Sequence, residues 1–416
     1  MRKFVRKLHL WLSVPFGVVL VVTCFTGALL VFEKEITTVY YDGVADVEPV
    51  GSPMSLGDLL PRVLSTLPAG AEVSGVVVPS GECDAYKVNV KGAAKATLYV
   101  NQYTGEVLGE YKRLEFFRVV LRLHRWLLDA SPKGGGVFWG KSVVGASVLA
   151  FVFILLLGLV LWCPRNRKML ANRLKVVWSK GINRFWYDLH VAGGFYVLMF
   201  LLVMAVTGLT WSYRWYSNGF YSLLGANAGG KQVVEPIAVA DVSSKGKTSG
   251  IDAVSAATAT AVSSRYVDGT TGATAVSVES LDAVSGATAQ SSAVQWSPYT
   301  AWDKALGYVC AEYASFAQVT VGDGTATVLL DHVGNKRASD KYTFDTVSGD
   351  MTTVARYEGA PSSNKARGWV YSLHVGSWGG LFSKVLYFIA ALMGAALPLI
   401  GYYLWIRRLY LKRKSK

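Results

Sequence analysis

The chain has 416 residues, of which 52% are hydrophobic and 17% charged, and its formal net charge is +14 at pH 7. Its mean hydropathy of +0.32 is too high for an ordinary soluble domain. The composition therefore excludes a soluble enzyme and indicates a membrane protein. The basic residues are concentrated beside apolar runs, so we assign the positive charge to membrane orientation and expect no nucleic-acid partner.

Four apolar runs are each long enough to cross a bilayer core of about 30 Å as a helix. They lie at about residues 10–32, 142–163, 191–213 and 381–406. Basic residues without any acid precede the first run, occupy 165–184 between the second and third runs, and follow the fourth. The positive-inside rule then places both termini in the cytoplasm. We predict a multi-pass protein of a bacterial cytoplasmic (inner) membrane, in contact with the lipid bilayer.

In chain order, the predicted organisation alternates membrane segments with extracytoplasmic ones. The segments are transmembrane helix 1 at 1–36, a first lobe at 37–112, an interfacial segment with transmembrane helix 2 at 113–164, a cytoplasmic basic loop at 165–184, transmembrane helix 3 at 185–216, an extracytoplasmic segment with repeated motifs at 217–296, a second lobe at 297–358, an interfacial segment with transmembrane helix 4 at 359–407, and a cytoplasmic basic tail at 408–416.

Cys83 and Cys310 fall in the two lobes, where an oxidising compartment would allow a disulfide.

The two halves of the chain repeat one pattern, which predicts an internal duplication. Thr26 follows His9 by 17 positions in the first apolar run, and Thr207 follows His190 by the same interval in the third. Each outer region contains an alternating strand, a glycine turn and a second strand. We therefore predict a four-helix transmembrane bundle built from a duplicated unit of span, lobe and span, with two small extracytoplasmic α+β lobes.

Four of the five histidines begin or precede a span. His9 and His190 begin spans on the cytoplasmic side, whereas His124 and His374 precede spans on the outer side. Neutral imidazole is a usual axial ligand of haem iron, and helix bundles supply ligands from facing helices. We predict two b-type haems, one held by each pair, with simple interfacial histidines as the alternative. His332 is predicted to be a surface residue of the second lobe.

A segment at 238–295, rich in Ala, Ser, Thr, Gly and Val, contains three copies of a seven-residue pattern. Two copies fit Asp-x-x-Ser/Thr-Gly-Ala-Thr, and the first has Ala256 in place of the glycine. The pattern resembles the site where flavin transferases join FMN to a threonine hydroxyl through a phosphoester, as in the FMN-bearing subunits of Rnf and of sodium-pumping quinone reductases. The alternative is a low-complexity linker in which such patterns arise by chance.

The resemblance implies two or three covalent FMN groups and a flavin transferase as maturation partner. Gly286 and Ala287 are small and leave the threonine hydroxyl accessible to another enzyme, and the Asp282 carboxylate could help to place a metal or a proton during the transfer. The FMN-binding residues that the motifs imply are Asp252, Thr258, Asp268, Gly272, Thr274, Asp282, Ser285, Gly286, Ala287 and Thr288.

The chain also resembles the PepSY-associated transmembrane family, whose members include inner-membrane ferric-siderophore reductases with b-type haems. The resemblance rests on the leucine-histidine pairs that end at His9, His124, His190 and His374, and on outer lobes that look like PepSY domains. It implies a membrane-bound oxidoreductase that takes part in electron transport and iron reduction. Arg125, beside His124, is a candidate partner for haem propionates, with interfacial anchoring as the alternative.

We expect a transmembrane electron-transfer protein that passes electrons through haem to covalent FMN and to an extracytoplasmic acceptor such as a ferric chelate. The cytoplasmic segments are short and carry no Gly-x-Gly-x-x-Gly motif, so the donor is membrane quinol or a separate reductase. The alternative is a non-catalytic PepSY membrane protein that binds or regulates an extracytoplasmic partner or protease. The sequence assigns no catalytic residue.

Overall fold

Four long apolar helices dominate the computed structural model, which describes residues 1–93, 95–132, 136–226, 234–237 and 299–414. We call them span 1 (Arg2–Val31), span 2 (Trp139–Trp162), span 3 (Ile182–Ser212) and span 4 (Gly380–Lys414). Each is long and apolar enough to cross a membrane. The prediction of a membrane protein with four spans is therefore confirmed.

The four spans form a bundle in which spans 1 and 3 occupy one diagonal. Span 1 packs against spans 2 and 4, and span 3 packs against the same two helices. Leu20, Phe151, Leu201 and Ala390 contribute one side chain each from the four spans to the buried core of the bundle. We call the end of the bundle next to the strands the lobe end, and the opposite end, where the Arg- and Lys-rich segments lie, the basic end.

Nine strands, numbered in chain order, form one antiparallel sheet in the described part of the chain. They are β1 (Ala71–Pro79), β2 (Tyr86–Gly92), β3 (Ala96–Val100), β4 (Val107–Tyr111), β5 (Glu235–Pro236), β6 (Gln318–Gly322), β7 (Thr325–Leu329), β8 (Ser339–Phe344) and β9 (Met351–Ala355). Their order in space is β4-β3-β2-β1-β6-β7-β8-β9-β5. The two predicted lobes thus share a single sheet, because β1 pairs with β6 from Gly75↔Gly322 to Pro79↔Gln318.

Two helices cover the sheet and complete its core. Lobe helix A (Leu56–Ser65) and lobe helix B (Thr300–Glu312) lie in the first and second lobes and pack against each other. Lobe helix A buries Leu56, Leu59, Leu60 and Val63, the i, i+3, i+4, i+7 spacing of an amphipathic helix. These side chains join residues of β1, β6 and lobe helix B in one hydrophobic cluster. The shared core explains why the lobes do not stand apart.

Two further helices lead from the sheet to the bundle. Link helix A (Glu115–Trp126) packs against spans 1 and 2, and link helix B (Ser362–Val375) packs against span 3. The other helices of the described residues are Glu33–Tyr40, Asp42–Ala45, Arg167–Arg173 and Arg214–Leu223. All four cysteines are free thiols, so the structure has no disulfide between exposed Cys83 and buried Cys310.

Asp303 joins the two lobes by capping a helix across the boundary. One of its carboxylate oxygens accepts a hydrogen bond from the backbone N–H of Leu56 at 2.5 Å and the other from Gly57 at 2.7 Å. Both donors lie in the first turn of lobe helix A, where backbone N–H groups have no partner within the helix. Burial raises the pKa of Asp303 to about 6, and the two N–H donors act in the opposite direction.

Asp303→Ala is expected to lower the free energy of opening of lobe helix A by about 1 to 3 kcal/mol, because two N–H groups lose their acceptor. Hydrogen exchange of the helix amides in the full-length protein measures this, at a pH well above the pKa of Asp303. Asp323→Ala is the control, since Asp323 is exposed and pairs with Lys91 at 3.6 Å. Equal exchange rates in the two variants would contradict the capping role.

Candidate functional site

His124 and His374 face each other at the lobe end of the bundle. Their ring centres are 6.4 Å apart and their planes are inclined by 54°. Link helix A carries His124 to span 1 and link helix B carries His374 to span 3, so the two rings approach from the diagonal pair of spans. Two imidazoles that bind one iron from opposite sides, each nitrogen about 2 Å from the metal, have ring centres roughly 6 Å apart. The observed separation fits such a site.

Each ring is oriented by a hydrogen bond of the same kind, from Nδ1 to a backbone carbonyl oxygen of a span. Nδ1 of His124 lies 2.9 Å from the carbonyl oxygen of Thr23, and Nδ1 of His374 lies 3.1 Å from that of Met204. A carbonyl can only accept, so Nδ1 carries the proton in each neutral ring and Nε2 keeps a free lone pair. This is the arrangement in which metal-binding histidines are held by a second partner.

Burial keeps both rings in the form that binds metals. It lowers the pKa of His374 to about 4, with smaller contributions from the neighbouring His124 and Arg125. It also lowers the pKa of His124. Since the pKa of each ring is below its ordinary value, both imidazoles are neutral at physiological pH.

A buried threonine accompanies each of these histidines. Thr26 Oγ1 lies 3.3 Å from Nδ1 of His124, and Thr207 Oγ1 lies 3.1 Å from Nδ1 of His374. Each hydroxyl donates a hydrogen bond to the backbone carbonyl four residues earlier in its own span. The Thr26 and Thr207 that mark the sequence repeat therefore make corresponding contacts at the lobe end.

Each of the four span-associated histidines packs its Cε1 edge near a glycine of a neighbouring span. A Cβ atom added to the glycine would lie 3.0 Å from Cε1 at both lobe-end contacts, and 3.6 and 3.7 Å from it at the two basic-end contacts. The pairs are His124 with Gly27, His374 with Gly208, His9 with Gly158 and His190 with Gly401. The spacing of residues in the sequence did not predict these contacts between glycines and histidines.

His9 and His190 lie at the basic end and approach the second span of their own half. Nδ1 of His9 is 3.1 Å from the carbonyl oxygen of Ile154. His190 lies in a π-helical turn, Leu189–Gly193, and its buried Nδ1 is directed toward Leu397 without a well-formed hydrogen bond. The two histidines are within electrostatic range of each other. Their rings do not touch. π turns inside helices are frequent at functional sites.

In the described part of the chain, these histidines can contribute to a two-ligand metal site but not to a larger one. Within the ranges that the structure describes, no group of three or more His, Cys, Asp and Glu side chains could hold a metal ion. Haem iron requires only axial ligands from the protein, because the porphyrin supplies the others. The donor set at the lobe end therefore fits haem.

Two aspects of the site differ from the sequence analysis. His332, predicted to be a surface residue, is half-buried: its ring centre is 5.3 Å from that of Tyr357, and its Nδ1 is buried without a partner among the described residues. The sequence did not point to the contact of Trp211, whose ring centre is 5.0 Å from that of His374. Trp211 follows Thr207 by four positions, so the helical period could have indicated a shared face.

The motif threonines Thr258, Thr274 and Thr288 lie outside the described residues, as do the other motif residues. The structure does describe where the flanking chain meets the sheet. Before the motifs, β5 pairs with β9, and the N–H of Ile237 donates to the carbonyl oxygen of Thr352 at 3.0 Å. After them, Tyr299 immediately precedes lobe helix B. The FMN sites stay a prediction.

The fold and the site define a membrane protein with four spans, a sheet at one end and paired histidines along the bundle. A model of the family described as PepSY-associated TM region matches residues 6–408. The chain therefore belongs to this family. A comparison with curated proteins gives no match.

Gly27→Ala and Gly208→Ala are expected to destabilise the protein by about 1 to 3 kcal/mol each, because the new Cβ would lie 3.0 Å from the facing imidazole. Gly158→Ala and Gly401→Ala are matched controls, since their Cβ would make ordinary contacts at 3.6 and 3.7 Å. Thermal unfolding in detergent measures all four. Equal destabilisation by all four substitutions would contradict the difference between the two ends of the bundle.

Proposed function

We propose that this PepSY-associated membrane protein transfers electrons across the membrane, from the cytoplasmic side or the quinol pool to an extracytoplasmic acceptor such as a ferric chelate. The route runs through b-type haem and covalently bound FMN. The observation that carries the proposal is the 6.4 Å separation of the His124 and His374 rings. Haem bound there would exchange one electron at a time.

The protein contributes ligand orientation at this site. The carbonyl oxygens of Thr23 and Met204 accept the Nδ1 protons, which directs Nε2 of each ring away from the backbone. The glycine contacts keep the imidazoles close to spans 1 and 3. Held in this way, the two rings need little reorganisation to bind iron.

A second haem at the basic end completes the proposed route. The support is a set of corresponding contacts: His9 meets Ile154 and Gly158 on span 2, and His190 is directed toward Leu397 and packs near Gly401 on span 4. This correspondence also supports an internal duplication. Two sites at opposite ends of the bundle would divide a hydrocarbon core of about 30 Å. The positive-inside rule orients the basic end toward the cytoplasm.

Covalent FMN is proposed on the extracytoplasmic side, on Thr288 and Thr274, with Thr258 as a third candidate. The support is the repeated motif and its insertion between β5 and lobe helix B. Both flanks belong to the sheet region, at the same end of the bundle as His124 and His374. Covalent FMN would pass on one or two electrons, which suits a handover to two-electron acceptors.

Purified protein is expected to show a haem Soret band, and single histidine substitutions should each remove one haem. His124→Ala and His374→Ala are expected to remove the lobe-end haem, and His9→Ala and His190→Ala the other, because each haem loses an axial ligand. His332→Ala is the control and should retain both. Pyridine haemochrome assay gives the stoichiometry. Protein that contains no haem when haem supply is adequate would favour the non-catalytic alternative, and unchanged content in all four variants would refute these ligands.

Protein produced together with a flavin transferase is expected to fluoresce in a denaturing gel. Thr288→Ala and Thr274→Ala should each lower the intact mass by one FMN unit, because the phosphoester needs the threonine hydroxyl. Thr260→Ala, a threonine of the same segment outside the motif positions, should leave the mass of bound flavin unchanged. A denatured band without fluorescence, despite an active transferase, rules out covalent attachment.

A further inference from the structure

A basic groove opens at the lobe end, and Arg125, the residue after His124, contributes to its lining. It has a volume of ≈ 470 Å³ and is lined by Arg122, Arg125, Trp126, Asp129, Ala130, Ser131, Phe138 and Lys141. Arg122 and Arg125 lie one turn apart on link helix A, and Lys141 comes from the first turn of span 2. Three cationic side chains from two helices therefore converge on one groove.

The cations of this groove have no carboxylate partner among the described residues. Asp129 is the single acid in the lining, and its two oxygens already accept hydrogen bonds from the N–H groups of Ala130 and Gly140, both at 2.8 Å. Arg122 donates to the carbonyl oxygen of Leu128 at 2.9 Å, which leaves its positive charge uncompensated. The groove is therefore electropositive and suited to an anionic group.

Arg125 connects the groove to the histidine pair. It follows His124 directly, and its guanidinium lies over the Trp126 ring at 4.8 Å. It is within electrostatic range of both His124 and His374. An anion that Arg125 binds would thus lie beside the metal site.

We propose that Arg125, assisted by Arg122 and Lys141, binds the propionate carboxylates of the haem that His124 and His374 hold. The proposal rests on the proposed function. The planar guanidinium of arginine matches a carboxylate and forms paired, charge-assisted hydrogen bonds with it. An anionic lipid headgroup offers similar oxygen atoms, but it has no reason to lie next to the two metal ligands. The position of Arg125 therefore favours haem.

The test compares haem b with its dimethyl ester, which lacks both negative charges. It uses apoprotein with the His9→Ala substitution, which retains only the lobe-end site. The parent protein is expected to bind haem b about 10-fold to 100-fold more tightly than the ester, the usual effect of charge-assisted hydrogen bonds. Arg125→Leu should abolish most of this preference, and Arg125→Lys should retain part of it.

The midpoint potential gives a second readout. Arg125→Leu is expected to shift the potential of the lobe-end haem to a more negative value when the ester is bound, because a positive charge near the iron favours the ferrous state. Arg118→Leu is the matched control on the same helix, since Arg118 is exposed and pairs with Glu115. Arg118→Leu should change neither the preference for haem b over its ester nor the midpoint potential of the lobe-end haem.

The outcomes separate this proposal from the proposed function. Wild-type protein that takes up no haem contradicts the proposed function itself. If the parent and Arg125→Leu proteins both bind haem b and its ester with equal affinity, the propionate site is overturned, whereas the proposed function stands. If vesicles of anionic lipid stabilise the protein in a way that depends on Arg125, and the protein shows no preference for haem b over its ester, the groove is a lipid site. That outcome would also overturn the proposal.

Discussion

The hydrogen bonds from Nδ1 of His124 and His374 to carbonyl oxygens of spans 1 and 3 are the interaction on which the site depends. They attach the two link helices to the membrane bundle and direct Nε2 of each ring away from the backbone. Without them, each buried imidazole would lose its carbonyl acceptor, at a cost of about 1 to 3 kcal/mol. One pair of contacts thus serves both helix docking and the orientation of the proposed ligands.

The continuous sheet connects the two link helices to one platform. Link helix A follows β4 of the first lobe and link helix B follows β9 of the second, so pairing of β1 with β6 and capping by Asp303 relate the two helices to each other. Near its end, link helix B is also held by the second lobe, since the N–H of Lys336 donates to Ser372 Oγ at 3.0 Å. Ser372 is two residues before His374. The distance between the rings is therefore set by the lobes as well as by the spans.

Two groups of charges near the lobe end have different roles. Arg113 binds Glu33 through two hydrogen bonds of 2.5 Å, and half-buried Lys384 pairs with Glu35 at the start of span 4. Both pairs hold the helix after span 1, Glu33–Tyr40, against other segments: the first to the chain before link helix A, and the second to span 4. The cations of the basic groove, in contrast, have no carboxylate partner among the described residues. The first group is used in structural ion pairs, whereas the second has positive charge left for a ligand.

The sequence by itself determined the local features of this protein. Runs of about 20 apolar residues form helices long enough for a membrane because every backbone polar group must be satisfied within the helix. The intervals from His9 to Thr26 and from His190 to Thr207 likewise fall within single spans, so the chain order contains them. The tertiary structure decided which groups from distant segments meet: His124 with His374, each histidine with its glycine, and β1 with β6. It also buried part of His332. These contacts join residues that are far apart in the chain, and they depend on helix packing and strand register, which periodicity and spacing do not specify.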